Sequence, residues 1–310
     1  MRGGGELIQE IMRETLENAR PAVAQGEVAS YIPELKKADK NQLGLSIFTM
    51  EGERYSVGDT KVRFSIQSIS KVISLAVALE LCGFETVFDQ VGMEPSGDAF
   101  NSLVKLEISD SHPSNPMINS GAIAVSGYIE PKIPFDQMLT FTRRLCMDPG
   151  IGLDSRVYES EMSHISRNRA IAYLLENKGV LRNDVERTLD FYVKMCSLSV
   201  TAESLAGLGL LLANGGVSPE TGVRLLKKKT VKVVKTIMLT CGMYDGSGEF
   251  AIRVGIPSKS GVGGGILAVA DKKMGIGIFG PSLDEKGNSI AGERMLQYLS
   301  EKLKLHMFEA

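Results

Sequence analysis

The chain is 310 residues long with a mass of 33.6 kDa, enough for one large domain or two closely packed lobes. At 43% hydrophobic and 23% charged, with a mean hydropathy of +0.01, it can bury a sizeable core, yet it holds no apolar run near the roughly 18 residues that span a bilayer. Its 35 basic and 37 acidic residues leave a net charge of −2, which excludes the basic footprint of a general nucleic-acid binder.

The opening residues, Met1 to Glu6, lack the apolar stretch of a secretory signal, so a cytoplasmic location is expected. Ile8, Ile11, Met12, Thr15 and Ala19 then follow the helical repeat, and Pro21 breaks it. Leu43, Leu45 and Ile47 alternate through a strand, Glu51-Gly52 turns it, and Arg54 to Val57 begins the return, closed by Gly58-Asp59. A long apolar helix is predicted from Ser68 to Leu81, stopped by Gly83. Residues 84 to 225 read as helices joined by loops such as Pro113-Ser114-Asn115-Pro116 and Asp148-Pro149-Gly150. Within them Ala202 to Ala213 is apolar all round, the mark of a buried helix. The last third returns to strands at Phe250 to Ile256, Gly265 to Val269 and Met274 to Phe279, and ends in a helix carrying Met295, Leu299, Leu303 and Met307. The expected class is mixed α/β (α+β): an antiparallel sheet of about five strands flanked by helices, with an all-helical lobe inserted. The sheet lobe would comprise about 1–83 and 226–310, and the helical lobe about 84–225, within one catalytic unit of 1–310.

Cys82, Cys146, Cys196 and Cys241 form no CxxC pair, and His112, His164 and His306 form no HExxH, so metal catalysis is not expected. Lys227, Lys228, Lys229, Lys232 and Lys235 make a basic cluster that reads first as a solvated face, with an anion or partner patch left open. His112 near Asp110 falls in a polar loop and is given no role.

Ser68-Ile69-Ser70-Lys71 matches the S-x-x-K pattern of serine acyl-transfer enzymes. Three residues apart on a helix, the hydroxyl and the ammonium share a face. Apolar surroundings favour neutral Lys71, which can then take the Ser68 proton and make it a nucleophile. A second match, Ser102-Leu103-Val104-Lys105, lacks such surroundings. Downstream, Lys259-Ser260-Gly261 precedes the glycine-rich Val262-Gly263-Gly264-Gly265 and resembles the K-T-G strand motif that accompanies S-x-x-K. Its small residues let a substrate lie against strand backbone, whose N–H groups serve as oxyanion donors.

Taken together, further stretches resemble the serine-dependent glutaminases, from about Tyr31 to Asn288. They are Tyr31-Ile32-Pro33, Gly58 to Val62, Gln67 to Lys71, Glu94 to Gly97, Asn115 to Ala122, Arg167-Asn168, Asp190-Phe191-Tyr192, Cys241 to Asp245 and Lys259 to Val262. The resemblance implies the fold of the β-lactamase and penicillin-binding group, L-glutamine as substrate, no cofactor, and a homo-oligomer, dimer or tetramer. It implies Ser68 as acylated nucleophile, Lys71 as base, Tyr244 as proton relay, and the backbone N–H groups of Ser68 and Val262 as oxyanion hole. Tyr31, Gln67, Asn119, Glu161, Asn168 and Tyr192 correspond to the groups that hold glutamine. Glu161 rests on a seven-residue offset to Asn168, because Ser160 to His164 departs from the family's more charged pattern. Read on their own residues, Tyr192 also fits a core aromatic, Asn119 a helix cap and Glu161 a solvated acid. A β-lactamase-like serine hydrolase and a silent amino-acid-binding protein on the same fold are the rival readings.

Overall fold

The computed structural model describes residues 4–96 and 112–309. Ser102, Lys105 and Asp110 lie outside these residues. Strands β1 (Gly44–Thr49) and β2 (Arg54–Gly58) form the expected hairpin. Short strands β3 (Phe64–Ser65), β4 (Gly152–Leu153) and β5 (Leu198–Val200) make a small antiparallel sheet ordered β3-β5-β4. Strands β6 (Ser258–Gly261), β7 (Gly265–Ala270) and β8 (Met274–Phe279) complete the main sheet, ordered β2-β1-β8-β7-β6 with every neighbour antiparallel.

The alternation in Met274-Gly275-Ile276-Gly277-Ile278 sets the layers. Ile276 and Ile278 share a core with Leu45, Ile47, Met12 and Met295, beneath the terminal helices Gly4–Ala19 and Ile290–Leu303. The glycines face the other way. A Cβ at Gly275 would come 2.0 Å from the Leu210 nitrogen, and one at Gly277 1.9 Å from the Ala202 oxygen. Helix Ala202–Ala213 therefore lies directly on the sheet backbone, which is why it is apolar on every side. A larger apolar cluster binds helix Ser70–Cys82 to the helices of the middle region, and residues 70–79 of that helix are all buried.

Three expectations are corrected. Phe250 to Ile256 is not a strand: Ser247–Arg253 is helical, with Phe250 and Val254 buried one turn apart and Ile252 80% exposed. The fifth strand is instead β6, which contains Lys259-Ser260-Gly261, and Val262 to Gly264 turn into β7. Residues 84–225 also contain β4 and β5, too short to show a period of two. The terminal helix stops at Leu303, where Lys304 turns left-handed, and Met307 is left half-exposed beyond it.

Candidate active site

The small sheet fixes the approach to Ser68. Beyond the β3–β5 pairing, the Ile66 N–H donates to the Leu198 oxygen at 2.8 Å, and Ser65 Oγ donates to the Cys196 oxygen at 3.0 Å. The chain then enters a single 3-10 turn, Gln67–Ile69, that runs into helix Ser70–Cys82. Gln67 takes a φ of +48°, a left-handed conformation that costs a non-glycine residue about 1–3 kcal/mol. Ser68 is thus held on the opening turn of a buried helix, in the positive field of its N-terminus.

Lys71 is 2% exposed and stands one turn further on. Its Nζ donates to the Met117 oxygen at 3.2 Å and to Asn119 Oδ1 at 2.7 Å. Burial pulls its pKa down to about 8, against an opposing pull from the Cys196 and Glu161 charges. A neutral amine has two N–H groups and one lone pair. With both N–H groups taken by Met117 and Asn119, the lone pair of the neutral amine is left open. Asn119 is therefore no helix cap: its Oδ1 serves Lys71 while its Nδ2 donates to Asn168 Oδ1 at 3.0 Å.

Glu161 is 7% exposed, in helix Ser155–Ser163, and is not a solvated acid. Burial raises its pKa to about 7, although Gln67 Nε2 donates to Oε2 at 3.3 Å and Lys71 adds a favourable charge. Gln67 Nε2 also donates to Ser65 Oγ at 2.7 Å. Tyr192 belongs to the core cluster, yet its hydroxyl lies within the fields of Cys196, Glu161 and Tyr31, and burial raises its pKa well above the ordinary value. Tyr31 leaves 55% of its surface exposed while its hydroxyl end is buried, and that burial, then the Glu161 and Tyr244 charges, raises its pKa.

Tyr244 opens a 3-10 turn, Tyr244–Gly246, that follows helix Lys228–Cys241, and it too has a left-handed φ, of +52°. Its pKa is raised by burial and pulled back by hydrogen bonding to the Ser68 side chain and the Val262 backbone N–H. The phenol thus stands near both the serine and the N–H of the β6–β7 turn. The buried Lys259 lies against the other side of this group, with Nζ 4.5 Å from the centre of the Tyr244 ring. It donates to the Gly242 oxygen at 3.1 Å and the Ser260 oxygen at 2.6 Å. Burial first, then the Lys71 charge, hold its pKa well below the usual lysine range. Two buried lysines thus lie near Ser68 and Tyr244, Lys71 one helical turn from the serine and Lys259 against the Tyr244 ring.

The Glutaminase family model matches residues 26–308. The chain belongs to the glutaminase family. It is 51% identical over 302 residues to a glutaminase of Clostridium botulinum, covering 96% of this chain and 99% of the relative. It superimposes on the solved structure of a probable glutaminase, YbaS, with a TM-score of 0.92 and 37% identity, over 97% of this chain and 99% of the other. The Bacillus subtilis glutaminase YbgJ, solved as a covalent complex with 5-oxo-L-norleucine formed from 6-diazo-5-oxo-L-norleucine, gives 0.88 and 36%, over 97% of this chain and 99% of the other. The fold is the β-lactamase-like one of these glutaminases.

All ten residues singled out for the glutaminase site are tied to one another by these hydrogen bonds and charges. Sequence reasoning quoted Lys259 in a motif but gave it no place in the site. It named Cys196 only among the unpaired cysteines and Met117 only within a family motif, and gave neither a place in the site. Cys196, whose thiol burial lifts to about 12, packs against Ser70 and Tyr192 and left no spacing signal, being an apolar-looking residue on an amphipathic helix. Among the described residues, no three His, Cys, Asp or Glu side chains gather as a metal site.

Proposed function

We propose that the chain hydrolyses the side-chain amide of L-glutamine to glutamate and ammonia through an ester on Ser68. The observation that carries this reading is the buried Lys71, 2% exposed and donating to Asn119 Oδ1 and the Met117 oxygen, one helical turn from Ser68 in a chain of the glutaminase family.

Neutral Lys71 takes the Ser68 proton as Oγ attacks the amide carbon. The negative charge on the amide oxygen falls to the N–H groups of Ser68 and Val262, where each donor is worth about 10²–10³ in rate. Tyr244, kept neutral by its raised pKa, passes a proton to the departing nitrogen, and ammonia leaves. Water then attacks the ester by the reverse proton path and frees Ser68.

Selectivity follows from the walls. Glu161 is a buried carboxylate beside the nucleophile, and the glutamine ammonium is the charge that compensates it. Asn168, whose Oδ1 is occupied by Asn119, turns its amide N–H groups to the substrate carboxylate. Tyr31, Gln67 and Tyr192 close the pocket around the side chain. No metal or organic cofactor enters any step.

The same reading makes residues 1–310 one catalytic unit of two lobes, about 1–83 with 226–310 and about 84–225, and places it in the cytoplasm as a homo-oligomer, dimer or tetramer. Four unpaired cysteines support a reducing compartment. Among the described residues no helix is long and apolar enough to cross a membrane. The activity is tested by ammonia release from glutamine. Wild type is expected to turn over and Ser68→Ala to be silent at unchanged thermal stability; turnover by Ser68→Ala overturns the assignment.

A further inference from the structure

A groove of about 530 Å³ runs between helix Lys228–Cys241, the Gly255–Pro257 segment that leads into β6, and the chain beyond Leu303. One wall is part of the lysine cluster noted in the sequence: Lys228, Lys232 and Lys235 follow at four- and three-residue steps and so share one helix face. The structure divides these lysines. Lys235 is paired with Asp271, and Lys273, also on the wall, donates to the Lys304 oxygen at 2.6 Å. Outside the groove, Lys227 bonds Glu80, and Lys229 lies over the Phe84 ring. Lys228 and Lys232 remain exposed, and no described residue engages either ammonium. Of the two acids on the walls, Asp271 is spent on Lys235, which leaves Glu309 against the two open cations.

Apart from Thr236 and His306, the remainder of the lining is apolar or glycine. Val231, Ile256 and Leu305 form a floor that is already buried, while Leu239 is half-buried and Met307 is 48% exposed. The two halves demand different things of an occupant. A bare anion would satisfy the lysines and leave Leu239 and Met307 in water; a neutral hydrocarbon would cover them and leave the cations unmatched. The volume is in the range of pockets that hold one small organic molecule, roughly 300–1,000 Å³.

We propose that this groove is a binding site for a small amphipathic anion, with a carboxylate or phosphate monoester head between Lys228 and Lys232 and an apolar body along Leu239 and Met307. The site is independent of the glutamine chemistry, and none of its residues belongs to the catalytic group.

Isothermal titration of the full chain with decanoate and with monodecyl phosphate tests it. The two probes share the body and differ in the head, so the tighter one names the head group. One saturable site per chain for at least one probe is expected. The double variant Lys228→Glu/Lys232→Glu should bind that probe about tenfold or more weakly while its glutamine turnover is unchanged. Failure of both probes to saturate overturns the proposal, as does equal affinity in the double variant. Equal binding of decyltrimethylammonium would reduce the groove to an apolar patch, and equal binding of inorganic phosphate to a patch of charge; either result contradicts the assignment. A double variant that keeps its affinity for the probe and changes only its sedimentation coefficient would make the face an interface between copies.

Discussion

In the proposed mechanism Lys71 works as a base only while it is neutral, and burial is what makes that state accessible. Its pKa of about 8 lies below the free value, so protonation on the acid side of pH 8 removes the base. The maximal rate at saturating glutamine is expected to fall about tenfold per pH unit below that value. At low glutamine a second acid-side ionisation enters, because Glu161 must also lose its proton, near pH 7, before it can receive the substrate ammonium. Once substrate is bound, the ammonium holds Glu161 ionised and that second limb disappears. A pH–rate profile at both substrate levels checks this, and identical slopes would remove Glu161 from substrate binding. Lys71→Arg keeps the charge but cannot give it up, and should lose about 10²–10⁴ in rate; substantial activity in that variant would exclude a lysine base. Glu161→Gln is expected to cost glutamine about 3–5 kcal/mol in kcat/KM, the penalty of leaving a buried charge unpaired. N-acetylglutamine, already a poor substrate for lack of the ammonium, should lose far less. Equal losses on both substrates would make Glu161 structural.

Elements matter here because the catalytic groups sit at their ends. Helix Lys228–Cys241 begins with lysines against its own dipole, and Glu80, from helix Ser70–Cys82, accepts from the Lys227 N–H at 2.8 Å and the Thr230 hydroxyl at 2.6 Å. The helix of the nucleophile therefore anchors the helix that leads to Tyr244. At the other end Gly242 has an ordinary φ of −80°, so space alone calls for glycine: a Cβ there would lie 1.7 Å from the Ser258 oxygen at the start of β6. Gly242→Ala must part the helix from the strand. It should lower unfolding free energy by about 1–3 kcal/mol and reduce turnover by displacing Tyr244 two residues on. Urea denaturation read beside kcat checks both, and an alanine variant of normal stability and rate would show that the helix and strand can part freely. The glycines after Lys259 carry a related lesson. Read from the sequence, they leave room for substrate; in the fold, Gly263 presses against Ser65, where a Cβ would meet the carbonyl oxygen at 2.2 Å. They bring the Val262 turn onto the segment that presents Ser68.

At the scale of the whole molecule, the parts legible in the sequence were those with a period or a motif. The β1–β2 hairpin, the buried helices and the terminal helices all show their repeat over ten residues or more, or end at a turn residue such as Gly83. Helix Ser247–Arg253 did not, because Phe250, Ile252 and Val254 follow a period of two in so short a segment, although only Phe250 and Val254 lie on its buried side. The two- and three-residue strands β3, β4 and β5 carry no period at all, yet they set the position of Ser68. The residues that stood in a motif are brought together by the fold, and Glu161, the least anchored by motif, is buried against Gln67. What stayed hidden was the second coordination of these groups: Met117 offers a carbonyl and Cys196 a thiol, and neither residue type advertises a polar task. Glutamine chemistry in this fold depends on one serine being the atom that forms the ester. Digestion and mass spectrometry of the protein after reaction with 6-diazo-5-oxo-L-norleucine tests that most directly. The account predicts a single adduct on Ser68, lost in Ser68→Ala; an adduct on Ser102, or any labelling that survives Ser68→Ala, would contradict it.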